Sequence, residues 1–241
     1  MSYDSVETLK AFADRQNITF PLLSDQGSKT IAAWGLLNRE ATGRTAGIPH
    51  PGTFIIDRQG IVRSRFFEQA YQERSTATSI LTRLGLDAGG DVREITGAQA
   101  GFRLSASDAK VAPGERVTLR IDVTPGSRMH VYAPGELGYI PIALTLDATP
   151  DVRVVHPMVY PEPGTYYFAP LKETVKVYEQ PFRLLQDVTL ALTPSLRQRA
   201  TAGETLRLSG TLEYQACDDK VCYRPQTVPV EWTMTLVPLG R

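Results

Sequence analysis

The run Leu206-Arg207-Leu208-Ser209-Gly210-Thr211-Leu212-Glu213-Tyr214-Gln215-Ala216-Cys217-Asp218-Asp219-Lys220-Val221-Cys222-Tyr223-Arg224-Pro225-Gln226-Thr227-Val228-Pro229-Val230-Glu231-Trp232-Thr233-Met234-Thr235-Leu236 decides how the C-terminal part of this chain folds. Leu206, Leu208 and Leu212 on the way in, and Val228, Val230, Trp232, Met234 and Leu236 on the way out, alternate with polar neighbours. That is the period of a strand with one buried face. Between the two strands stand both cysteines of the chain, Cys217 and Cys222, so any thiol or disulfide chemistry must happen there. Two thiols with four residues between them can face each other across the mouth of a turn. They can close a disulfide if their Cα atoms come within about 4.4–6.8 Å. A reversible dithiol is the first reading, with a static staple and a zinc site as alternatives. A bridge closing about six residues restricts the unfolded chain by only about 2 kcal/mol, a modest gain for a domain able to bury its own core. Structural zinc takes four Cys or His ligands, and His50, His130 and His156 are scattered.

Upstream of this hairpin the same texture continues back to Phe102. Val117, Leu119, Ile121 and Val123 alternate, as do Leu184, Val188, Leu190 and Leu192, and Pro-Gly pairs at 113–114, 125–126 and 163–164 punctuate the runs. Short strands at this spacing, without convincing helices, predict an all-β antiparallel sandwich of immunoglobulin type over 101–241. Residues 89–100, rich in small and polar side chains, read as a linker.

Residues 1–88 read differently, as mixed α and β. Asp4 is placed to cap a helix carrying Val6, Leu9, Phe12 and Ala13, ending near Asn17; a second helix is expected from Ser28 to Trp34. Thr53–Asp57 and Ile61–Phe66 flank Arg58-Gln59-Gly60 as a hairpin, and a last helix fits Ala70–Leu84 with Gly85 after it.

The 241 residues suggest two domains. Lys plus Arg and Asp plus Glu balance at 26 each, so no global field draws in nucleic acid or an anionic lipid surface. No apolar run approaches the roughly 20 residues that span a bilayer, so no membrane insertion by this chain is expected. No nucleotide-binding glycine fingerprint is evident, and no metal or organic cofactor is called for. Met1–Glu7 lacks the basic start and apolar stretch of an export signal.

Tyr3-Asp4-Ser5, Phe20-Pro21-Leu22-Leu23-Ser24-Asp25 and Gly52-Thr53-Phe54-Ile55-Ile56-Asp57-Arg58-Gln59-Gly60-Ile61-Val62 resemble the C-terminal half of AhpC/TSA-type peroxiredoxins, of thioredoxin-like fold. The half that would carry the peroxidatic cysteine is not matched, and residues 1–88 contain no Cys. Where such proteins often place an arginine, this chain has His50-Pro51-Gly52. Peroxidase activity is not expected of this chain alone; an antioxidant peroxidase in a longer form is one alternative. A sheet without its central strands leaves apolar faces and open edges, so the N-terminus is expected to be incomplete.

Residues 102–238 resemble the N-terminal domain of the thiol:disulfide interchange protein DsbD. The match rests on Tyr214-Gln215-Ala216-Cys217 and Cys222-Tyr223-Arg224-Pro225-Gln226-Thr227, with support from Gly126-Ser127-Arg128-Met129-His130-Val131-Tyr132 and Val177-Tyr178-Glu179. The resemblance implies an immunoglobulin-like domain in the periplasm whose Cys217 and Cys222 shuttle between dithiol and disulfide. Electrons would come from a membrane-embedded donor and pass to other thiol/disulfide proteins. It also implies an aromatic cap over the pair, for which Tyr166, Tyr167 and Phe168 are the candidates, with Tyr214 and Tyr223 as flanking shields. Asp218 and Asp219 should oppose thiolate formation at Cys217 while Lys220 and Arg224 favour it; analogy points to Cys222 as the exchanging sulfur. His130 beside Tyr132 reads as a structural histidine, with proton transfer as its alternative role. A non-catalytic binding module with a fixed disulfide is the rival reading.

Overall fold

In the computed structural model, residues 1–67, 74–86, 89–136, 138–169 and 172–239 are described. They divide into two compact units, Met1–Gln72 and Glu73–Arg241.

In the first unit, helix α1 (Val6–Gln16) starts on Ser5, whose Oγ accepts from Thr8 N at 3.2 Å, and ends on Asn17 in the left-handed conformation. The cap is therefore Ser5, not Asp4; Asp4 instead accepts from the Ser2 hydroxyl. Helix α2 (Lys29–Ala33) is held by the Asp25 carboxylate, which accepts from the backbone N–H groups of Thr30 and Ile31. Strands β1 (Gly52–Ile56) and β2 (Val62–Phe67) pair antiparallel as a two-stranded sheet. Phe54 sits edge-on between Trp34 and Phe67, yet Phe12, Phe20, Trp34, Ile56 and Val62 remain exposed. This α+β segment has the mixed texture read from its sequence.

The second unit is an antiparallel β-sandwich. Its strands are β3 (Arg74–Ser75), β4 (Arg93–Thr96), β5 (Ala100–Ala106), β6 (Lys110–Val111), β7 (Glu115–Pro125), β8 (His130–Tyr132), β9 (Ala143–Leu146), β10 (Val152–Val154), β11 (Gly164–Phe168), β12 (Glu173–Tyr178), β13 (Phe182–Leu190), β14 (Thr205–Tyr214), β15 (Ala216–Cys217) and β16 (Gln226–Leu236). One sheet runs β10-β13-β7-β5-β4, with β3 alongside β7, and faces a second sheet ordered β6-β16-β14-β9. Their inner faces build one core: Leu104, Leu119, Ile121 and Leu184 from the first, Leu206, Leu208, Val230, Trp232 and Met234 from the second. Strands β14 and β16 alternate buried and exposed along their length, as period-two burial requires. Strands β7 and β13 are buried on both faces because their outer face is also covered. Helix α3 (Ala77–Arg83) packs there, Arg83 pairs with Asp187, and Thr118 Oγ1 donates to Asp187 at 2.8 Å.

The structure departs from the sequence reading at three places in this unit. The helix expected from Ala70 is observed only as α3, capped by Thr76 and followed by Gly85 at φ +83; residues 70–73 lie outside the described residues. Residues 93–96, read as linker, form β4 against β5, because Ile95 reaches the core. Its end needs Gly97, where a Cβ would stand 2.7 Å from the Tyr214 hydroxyl. A helix absent from the sequence reading, α4 (Pro194–Thr201), closes one end: Thr193 caps it, Pro194 opens its first turn, and Leu196 and Ala200 are buried.

A third sheet, β11-β12-β8-β15, carries the cysteines.

Candidate functional site

Strand β8 is three residues long and fully buried, and alternation splits it between two clusters. Val131 enters the main core, whereas Tyr132 joins Val175, Val177 and Cys217 in a small separate cluster. Strand β15 pairs antiparallel with β8, placing Ala216 opposite Val131 and Cys217 opposite His130. The chain then turns through Asp218–Val221 and returns, so that Cys217 and Cys222 face each other as an antiparallel bridge. They form a disulfide with Cα atoms 4.1 Å apart, slightly closer than the window set from spacing.

The turn is built by Asp218. Its Oδ1 accepts from Lys220 N (2.8 Å) and Val221 N (2.7 Å), and its Oδ2 from the Tyr223 hydroxyl (3.0 Å). The two backbone N–H groups, Lys220 first, hold the Asp218 carboxyl below its usual range, and in return Asp218 raises the Tyr223 hydroxyl. Asp219 is exposed and pairs with Arg128 at 2.8 Å. The carboxylate next to Cys217 is thus engaged by its own turn.

The two sulfurs differ in access. Cys217 has no exposed surface, whereas Cys222 is partly exposed at the edge of the cluster. The Tyr132 hydroxyl contacts both, at 3.2 Å from Cys217 Sγ and 3.5 Å from Cys222 Sγ. Tyr132 is itself fully buried, and its ring stacks on Tyr139 at 4.0 Å and 13°. Burial first, then Tyr139, pushes the Tyr132 hydroxyl far above its ordinary value. Tyr139 in turn donates to Glu173 at the start of β12.

Of the residues expected to shield the pair, Tyr166 lies against the cysteine cluster, its ring 4.3 Å from that of His130. Tyr223 lies beside the pair through Asp218, and its backbone N–H donates to Ala216 O at 3.0 Å. Phe168 shares the strand face of Tyr166 and is buried; Tyr167 points the other way and is 59% exposed. Tyr214 lies in the main core, edge-on to Phe102, away from the cysteine cluster. His130 is buried, edge-on to Tyr132, and its Nε2 has no hydrogen-bond partner. Burial lowers its pKa, against the pull of Asp219 and Asp218. Tyr139 and Glu173 were not singled out from sequence: one is in a loop and the other opens a strand, and only the fold brings them beside Tyr132.

A disulfide across a two-strand turn, one sulfur enclosed and one at the surface, on an antiparallel sandwich, defines a thiol–disulfide domain. Comparison with known families agrees: residues 95–232 match the family described as thiol:disulfide interchange protein DsbD, N-terminal, and the chain belongs to that family. Residues 1–65 match the AhpC/TSA family. Among curated proteins, this chain is similar to chloroplastic peroxiredoxin Q of Sedum lineare, 32% identical over 74 residues, covering 31% of this chain and 38% of that protein. It is also similar to alkyl hydroperoxide reductase E of Mycobacterium bovis, 38% identical over 69 residues, covering 28% of this chain and 42% of that protein. The chain thus spans well under half the length of these relatives. Among solved structures, the N-terminal periplasmic domain of ScsB from Proteus mirabilis aligns at TM-score 0.43 and 14% identity, covering 63% of this chain and 53% of that one. The reduced N-terminal domain of DsbD from Neisseria meningitidis aligns at TM-score 0.33 and 12% identity, covering 49% and 81%. No helix among the described residues is long and apolar enough to cross a membrane.

Proposed function

We propose that this chain performs thiol:disulfide exchange through a reversible Cys217/Cys222 pair, relaying electrons between other thiol/disulfide proteins in an oxidising compartment such as the periplasm. The observation that carries this reading is the asymmetry of the pair. Cys222 is the sulfur an incoming thiolate can reach, and Cys217, with no exposed surface, is the sulfur that leaves and later returns to close the bridge. A purely structural staple has no need of such a split, and the loop it closes is too short to add much stability. Tyr166 and Tyr223 shield the sulfurs from indiscriminate exchange. Phe168 supports Tyr166 from the same strand face, while Tyr167 and Tyr214 serve as flanking surface and core packing. The peroxiredoxin-like segment contributes no thiol, so electron transfer within this chain stops at the sandwich.

Trapping tests the proposal. Cys217→Ser protein, left with Cys222, should accumulate a mixed disulfide with a thiol protein in the periplasm, recoverable under non-reducing conditions. Recovery of no partner from either Cys217→Ser or Cys222→Ser protein overturns the relay. A reduction potential below about −300 mV supports the staple.

A further inference from the structure

Exchange at this pair moves a proton as well as electrons, and Cys217 lies where water does not reach. When Cys217 acts as a thiol, its proton needs an exit, and the neighbouring groups narrow the choice. Asp218 is already occupied by Lys220 N, Val221 N and the Tyr223 hydroxyl. His130 packs its ring on Tyr166 and Tyr132, and no hydrogen bond joins it to either sulfur among the described residues. Among the described residues, the polar group in contact with both sulfurs is the Tyr132 hydroxyl. Behind it stands Tyr139, stacked ring on ring, and behind Tyr139 the half-buried carboxylate of Glu173, which accepts the Tyr139 hydroxyl.

We propose that Tyr132, Tyr139 and Glu173 form a proton line joining the enclosed sulfur of Cys217 to the protein surface, with Glu173 as its terminal acceptor and donor. This rests on the exchange reading above and adds the route of the proton. Polarity along the line agrees. After burial, Tyr139, whose ring is stacked on that of Tyr132, is what raises Tyr132. After burial, Glu173 is what raises Tyr139, so Tyr139 holds its proton toward the carboxylate. Both phenols stay neutral and hand protons on together, with no free phenolate. The other titratable groups around the line are His130 and Tyr166 on its flank, Glu136 near Tyr139, and Asp218 and Asp219 in the turn.

The step balances as follows. In the mixed disulfide, Cys222 Sγ is bonded to the partner's sulfur. The Cys217 S–H proton passes to Tyr132 as Tyr132 passes its own to Tyr139 and Tyr139 to Glu173. The Cys217 thiolate then forms the bond to Cys222 Sγ, and the Cys222–partner bond breaks. The partner leaves as a thiolate with the electron pair and takes a proton from water, while Glu173 returns its proton to water. The pair is oxidised by two electrons and the partner reduced by two. In the opposite direction the line delivers the proton that Cys217 needs on leaving.

Tyr132 touches the reacting sulfurs; Tyr139 and Glu173 act through it. The test therefore uses Glu173→Gln and Tyr139→Phe in the full chain. Both keep shape, and each is first checked for a wild-type unfolding curve. Reduced protein is mixed with oxidised glutathione, and acid quench with mass spectrometry separates the glutathionylated Cys222 form from the closed disulfide. The expected result is an unchanged first step and a closing step slowed about tenfold at neutral pH, less than the roughly 100- to 10,000-fold of a group transferring the proton directly. The loss should shrink as rising pH ionises the thiol without help. The sign discriminates: removing a nearby negative charge by itself eases thiolate formation and speeds closure, so slowing by Glu173→Gln reports the lost acceptor. Closure at the wild-type rate or faster in both variants, or an equal effect on both steps, overturns the proton line. Wild-type protein that never closes its disulfide would instead overturn the exchange reading.

Discussion

If Cys222 receives the partner and Cys217 is held in reserve, the two thiols should differ sharply in reactivity once separated by mutation. The perturbation is the pair of single variants Cys217→Ser and Cys222→Ser, each with one thiol and no bridge. In the first, Cys222 is partly exposed and meets reagent directly; in the second, Cys217 has no exposed surface and must wait for the turn to open. Opening breaks the bonds that return the chain over Cys217: Tyr223 N to Ala216 O and Asp218 N to Val221 O, both 3.0 Å. At about 1 kcal/mol net per bond, and about 1 kcal/mol more for the buried thiol and its contacts, the cost is about 3 kcal/mol. At 1.4 kcal/mol per decade, Cys217 should react about a hundredfold more slowly than Cys222. The assay is labelling by a small uncharged maleimide under pseudo-first-order conditions, followed by intact mass. In a denaturant that unfolds both variants the two rates should converge, which separates burial from intrinsic reactivity. Native rates within about threefold of each other, a difference below 1 kcal/mol, would refute the division of roles.

Two further outcomes follow from buried polar groups. His130 is enclosed, and burial depresses its folded pKa below the ordinary 6.5 despite Asp219 and Asp218. The unfolded chain therefore takes up the proton first, so His130 weakens the fold as pH falls below about 6.5, while above it nothing is lost. Thermal melts from pH 7.5 to 5 should show a smaller acid loss in His130→Phe than in wild type, and equal losses would place the acid sensitivity elsewhere. On the outer face of the sandwich, Asp187 is 4% exposed and its Arg83 partner 27%. Removing one partner of a buried pair costs about 3–5 kcal/mol, less here because Arg83 reaches solvent and Thr118 still donates. Arg83→Met should therefore cost about 2 kcal/mol, a Tm lower by about 4–8 °C; an unchanged Tm would show that α3 is not held to the sandwich through this pair.

How far the sequence could be read depends on how local each signal is. Burial on one face of a strand writes itself into every second residue, so Leu206–Leu212 and Val228–Leu236 were legible as β14 and β16 and the cysteines as the turn between them. Where both faces are covered, alternation fades. Strands β7 and β13 carry Arg116, Thr118, Arg120, Asp187 and Thr189 on a face buried by other parts of the unit. Polar residues at those positions read as solvent-facing, and nothing nearby in sequence says that α3 lies over them. Strand β4 and helix α4 were missed for another reason. Each is short, with one or two core residues such as Ile95, or Leu196 with Ala200, too few for a period to show.

The candidate site divides along the same line. Its covalent part is local, since Cys217 and Cys222 are separated by five positions. Its chemical environment is not: Tyr132 is 85 residues from Cys217, and Tyr139 lies 34 residues from Glu173. What joins them is register. Pairing of β15 with β8 sets Cys217 opposite His130, and pairing of β8 with β12 sets Tyr132 opposite Val177. Because side chains alternate across a strand, a slip of one residue in β8 would turn Tyr132 away from the sulfurs and bring Val131 to them. The main core opposes that slip, because Val131 would then leave it. The apolar alternation that was readable from the sequence thus positions the polar residues that were not, and the chemistry at the cysteines depends on a register held by the core beneath them.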